Sequence, residues 1–68
     1  MNVEVSMVIA SHLSDVQIEM SIPTEQMKQQ ANNRLNFVKF LLFKYPNTET
    51  VITPKNEWYE FNNPKKEK

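Results

Sequence analysis

The sequence predicts an α+β domain, a small two-layer ββαββ arrangement with one long helix packed across an antiparallel sheet. Three observations carry that expectation. Residues 3–9 and 16–22 alternate apolar with polar side chains, residues 25–44 repeat apolar side chains at helical spacing and run up to a proline, and two short runs rich in β-branched and aromatic residues follow. Alternation with period 2 marks a half-buried strand, and recurrence every three or four residues marks an amphipathic helix.

The elements follow in order. Val3, Val5, Met7 and Ile9 alternate with Glu4, Ser6 and Val8, and Val16, Ile18, Met20 and Ile22 alternate more cleanly with Asp15, Gln17, Glu19 and Ser21. The polar ASHLSD between them reads as the connection of an antiparallel hairpin, turning near Ser11 to Ser14. With no Gly in the chain, a loop longer than the tight two-residue turn is expected. Thr24 is placed to cap a helix, and Glu25 suits the positive end of its dipole. That helix is expected from Glu25 to about Lys44, because Pro46 stops it and forces Tyr45 out of helical geometry. A helix of about 20 residues and a strand of about 9 both span about 30 Å, so the two layers match in length. TETVIT and EWYEF read as a second, shorter hairpin turning at PKN. If its first strand pairs beside the N-terminal strand, the sheet order is 2-1-3-4. Residues 1–61 then form one domain, and 62–68 a disordered basic tail.

Composition narrows the rest. A chain of 68 residues buries only about 60% of its unfolded surface and is marginal without help. There is no Cys for a disulfide, and a single His cannot build a structural zinc site. No metal, cofactor or small-molecule ligand is expected, which leaves oligomerisation or tight packing as the support. No run approaches the ~20 apolar residues of a membrane span, and no basic leader precedes MNVEVSMVIA, so a cytoplasmic protein is expected. Net charge is zero but uneven: residues 1–27 carry four acids and no Lys or Arg, whereas all eight basic residues lie in 28–68 against four acids. The small size, the lack of a catalytic set and the Asn- and Lys-rich, AT-biased usage resemble, in style only, small proteins of phages and mobile elements.

At 100° per residue, Met27, Ala31, Leu35, Val38, Leu42 and Tyr45 fall in one arc of the helix, the stripe expected to face the sheet. Phe37, Phe40 and Phe43 step along another arc, with Leu41 between ridge and stripe. Three exposed Phe in a row form a patch that monomers rarely leave in water. A twofold partner is the leading expected cover, followed by the C-terminal aromatics Trp58, Tyr59 and Phe61, then by a different protein. The expected function is therefore a non-enzymatic protein–protein interaction or regulatory module, self-associating as a homodimer. Its expected interface is Phe37, Phe40, Leu41, Phe43 and Trp58.

A second reading rests on KQQANNRLN. Asn bonds adenine, Arg bonds guanine, and Lys neutralises phosphate, so Lys28, Asn32, Arg34, Asn36 and Lys39 form a candidate nucleic-acid face. SHLSD holds the residue types of a hydrolase triad, but a triad gathers its members from separate elements, and neighbours in one loop diverge. No catalytic residue is assigned.

Overall fold

A computed structural model describes residues 1–63. The elements are β1 (Val3–Glu4), α1 (Val5–Met20), α2 (Glu25–Lys44), β2 (Val51–Ile52) and α3 (Pro54–Asn62). The ββαββ expectation is overturned. The described chain is mostly helical, and its sheet is a single antiparallel pair of two-residue strands, with Val3 opposite Ile52 and Glu4 opposite Val51. The four-strand order 2-1-3-4 therefore does not form among the described residues.

The largest correction is α1, which takes in most of both expected strands and all of the loop between them, leaving only Val3–Glu4 extended. Its inward residues are Val5, Val8, His12, Val16 and Glu19, spaced by three and four. That is a helical stripe, disguised because two of its five members are polar. The supposed turn contains Ala10, Ser11 and Leu13 but no Gly or Pro, so nothing in it breaks a helix. Glu4 stands at the N-cap without a side-chain hydrogen bond. The first amides of α1 are satisfied instead from a distance: Val5 N–H donates to the Thr50 carbonyl at 2.9 Å and Ser6 N–H to the Thr48 carbonyl at 3.0 Å. Four orphan amides open any helix, so this loop stands in for a cap.

The second helix runs as its sequence signals indicate. Thr24 Oγ1 accepts from Met27 N–H at 3.2 Å, and the helix closes at Lys44, just before Tyr45 and Pro46. Residues 21–24 turn the chain so that α1 and α2 pack as a helical hairpin. The rotation of α2 differs from the expected stripe. Ala31 and Val38 are buried, but Leu35 and Leu42 are 36% and 46% exposed, while Phe37 and Leu41 are wholly buried. Packed on a helix at one side and covered by α3 at the other, α2 turns its buried arc toward the Phe ridge.

EWYEF, expected as a strand, belongs to α3. Pro54 occupies the first turn, where its missing N–H costs nothing and its fixed φ suits a helix. Helical spacing then sets Trp58 and Phe61 on one face, and both pack on the core of Val5, Val8, Phe37, Leu41 and Ile52. The tail expected at 62–68 lies, from residue 64 on, outside the described residues.

Candidate functional site

The aromatic ridge is where the sequence placed the interface, and its covering is an intramolecular one. Phe37 sits with its ring centre 4.9 Å from those of His12 and Trp58, 5.4 Å from Phe61 and 6.1 Å from Phe40. The Trp58 and His12 contacts are edge-on, the geometry that sets a ring's positive rim against a neighbour's negative face. Phe37 and Leu41 expose no surface, so neither reaches a partner in this conformation. Phe40 and Trp58 are half-buried. Phe43 stands apart at 89% exposed, because its step along the helix carries it past the cover that α3 provides.

Ion pairs hold α3 in place. Lys44 Nζ donates to Glu57 at 3.0 Å and to Glu60 at 3.3 Å, and Tyr45 Oη donates to Glu57 at 2.5 Å. The Glu57 carboxylate thereby holds both Lys44 and Tyr45 above their ordinary pKa, since each loses a favourable partner on deprotonation. Lys44 also lies 5.5 Å over the Phe40 ring, extending the contact to the ridge.

A second polar cluster lies between α1 and α2. Arg34 Nε donates to Glu19 at 2.8 Å, and Arg34 Nη1 reaches Asp15 at 3.3 Å and His12 Nδ1 at 3.0 Å. Since Nδ1 accepts from Arg34, the proton of the neutral ring sits on Nε2. The His12 ring stacks on Trp58 with centres 5.2 Å apart. Burial lowers the pKa of His12 below 6.5 and the Arg34 charge lowers it further, against smaller opposing effects of Asp15 and Glu19. The fold therefore favours neutral His12. That contribution is fully present above the unfolded value of 6.5 and is lost as pH falls toward the depressed folded value. Urea melts across this range should show stability declining below pH 6.5, and His12→Gln should flatten that part of the profile.

This cluster takes Arg34 away from the candidate nucleic-acid face. Lys28, Asn32, Asn36 and Lys39 do share the exposed outer arc of α2, but Arg34 points inward to α1. Asn33, also in that run, donates to Asn62 of α3 at 3.1 Å. The SHLSD residues diverge as helix neighbours do: His12 and Asp15 turn inward, and Ser11 and Ser14 outward. An open cleft of about 290 Å³ beside His12 is lined by Val3, Met7, Val8 and Pro54, with Ser11 its one other polar member.

The surface that sequence reasoning missed is the outer face of α1. Its three titratable residues, His12, Asp15 and Glu19, all turn toward α2. The outer arc of α1 is thus uncharged, with the Asp15 side chain, 46% exposed, at its edge; Met7 and Ile18 on that arc are each 61% exposed, and Met20, about 150° around the helix, is 66% exposed. A surface helix ordinarily arranges itself the other way, with charge outside and apolar residues within. The signal was present as a 16-residue span with no Lys or Arg and only two acids. It becomes legible only once the span is known to be a helix. Beside it, Met20 joins Ala31 and Leu35 of α2 in an apolar notch of about 230 Å³, rimmed by Lys28 and Asn32. No helix among the described residues is long and apolar enough to cross a membrane. No protein-family model matches the chain, and neither a curated protein nor a solved structure is detectably similar to it.

Proposed function

We propose that the protein is a small, non-enzymatic interaction module that binds protein through the charge-poor outer face of α1. The observation that carries this reading is the inversion of α1, whose His12, Asp15 and Glu19 face Arg34, Asp15 at the flank with its side chain 46% exposed, while Met7 and Ile18 stand together in solvent on the outer face. Depletion of charge at the centre of a contact surface, with Met enriched, is the compositional mark of protein interfaces. The polar groups around His12 serve the fold: Arg34 is shared among His12, Asp15 and Glu19, and the neighbouring cleft is mainly apolar. A photo-cross-linking residue in place of Ser14 should yield a discrete protein adduct in expressing cells, and the same group at Glu49, on a loop, should not. Absence of any adduct from position 14 would sink the reading.

Nucleic-acid binding through α2 has less support. With Arg34 engaged, among the described residues only Lys28 and Lys39 remain as cations on that face of α2, and two phosphate contacts give a salt slope of only about −2 for duplex.

A further inference from the structure

The imidazole of His12 has two nitrogens, and the fold uses one of them. Nδ1 accepts from Arg34 at 3.0 Å, and one ring face stacks on Trp58. Nε2 then carries the proton of the neutral ring, and no described residue accepts it. Arg34 also reaches Asp15 and Glu19, which lie one and two turns beyond His12 on α1. Nδ1 is therefore directed toward the C-terminal end of α1. The two nitrogens of an imidazole point in nearly opposite directions, so Nε2–H is directed toward the N-terminal end.

The open cleft beside His12 lies on that side. Val8 stands one turn before His12 on α1, Pro54 stands one turn before Trp58 on α3, and Val3 of β1 lies beyond them. Met7 and Ser11 complete the wall. The cleft holds about 290 Å³, close to the lower end of ligand pockets, which run from about 300 to 1,000 Å³. Such sites pair apolar walls with a few placed polar groups that orient the ligand. His12 supplies one here, and Arg34 fixes its tautomer.

We infer that this cleft binds a small neutral aromatic carbonyl compound, whose oxygen accepts from His12 Nε2–H. Charge, wall chemistry and size together choose that class. Among the described residues that line the cleft, none is charged, and behind His12 one cation faces two carboxylates, so an anion gains nothing here. A neutral carbonyl oxygen takes the Nε2 proton without the cost of burying a charge. The Met7 thioether favours the edge of an aromatic ring, and Pro54 offers a flat apolar face. The volume admits a single ring with a short substituent. Ligand binding in this cleft is independent of protein binding by α1.

Acetophenone is the probe, titrated into the full chain and followed by NMR. His12 is the chain's one histidine, so its ring nitrogens are read without ambiguity. The free protein should show Nε2 protonated and Nδ1 bare. Acetophenone should then move the Nε2 resonance together with the methyl groups of Val3, Met7 and Val8, with a dissociation constant on the order of 1 mM. Benzoate, similar in shape but anionic, should bind at least about tenfold more weakly. A glutamine amide nitrogen reaches as far as Nε2 of histidine, and an asparagine amide only as far as Nδ1. His12→Gln should therefore keep the affinity within about twofold, whereas His12→Asn should lose about fivefold, the worth of one neutral hydrogen bond. Circular dichroism checks the fold of both variants, and the wild-type spectra are decisive without them. A free ring protonated on Nδ1, or no shift at tens of millimolar acetophenone, overturns the site. Methyl shifts without movement of Nε2, benzoate bound as tightly as the ketone, or His12→Asn binding as well as wild type overturns the ligand class. Shifts spread equally over the exposed Ile18, Leu42 and Phe43 mean general stickiness and overturn the cleft as a site.

Discussion

Phe37→Ala should leave the protein largely unfolded at 37 °C, whereas Phe43→Ala, on the same helix, should leave it unchanged. Phe37 has no exposed surface and touches four other aromatic rings, drawn from all three helices. Truncating a buried Phe costs about 3–5 kcal/mol, through lost transfer energy and the cavity left behind. A domain of this length has a total stability of about 3–10 kcal/mol, so one such cavity removes most of it. Phe43, at 89% exposed, lies in the range where substitutions stay within about 0.5 kcal/mol. Urea melts followed by circular dichroism would measure both. Equal effects at the two positions would mean that the ridge is not divided between core and surface as the structure has it. Loss of Phe37 also removes the ring against which Trp58 docks, so Trp58 emission should shift to the red with unfolding.

The second large effect is expected at Arg34. Arg34→Met should destabilise by about 3–5 kcal/mol, because it strands the Glu19 carboxylate between the helices. Glu19 is only 7% exposed, and its Oε1 is already without a hydrogen-bond partner among the described residues. Among the described residues, Arg34 is the one cation bonded to its other oxygen, Oε2. Pairing Arg34→Met with Glu19→Leu should recover most of the loss, since an apolar pair of similar size avoids the cost of burying two charges. The comparison of single and double variants isolates the coupling. A single variant as stable as wild type would mean that solvent reaches Glu19 and the pair is a surface one. The same substitution should also unsettle His12, which loses the donor to its Nδ1.

What was legible in the chain, and what was not, divides along the range of the interactions involved. The second helix was readable from end to end, because its signals are local: Thr24 caps it, Glu25 suits its dipole, and Pro46 ends it. The pairing of the 51–52 segment with the N-terminal segment was only one option within a four-strand sheet that does not form, and it extends over two residues. The first helix was misread because its stripe includes His12 and Glu19. Apolar periodicity counts polar residues as outward, and these are satisfied inward by Arg34, 15 or more positions later in the chain. The third helix was misread for the opposite reason. Trp58, Tyr59 and Phe61 favour strands, yet Pro54 in the first turn and the docking of Trp58 and Phe61 onto the core decide for a helix.

The candidate surface shows the same division. By itself, the sequence determined that no disulfide forms within the chain, a charge-poor N-terminal third, the extent of its central helix, and an aromatic ridge that needed a cover. Only the tertiary structure decided that α3 is the cover for Phe37 and Phe40, that Arg34 turns away from solvent, and that a helix face poor in charge, with Met7 and Ile18 exposed, is left open elsewhere. The physical reason is that capping and helix termination are settled by residues within one turn. Which face of a helix is inside depends on partners supplied from the rest of the chain, and a buried charge reads as a surface charge until its counter-charge is in place.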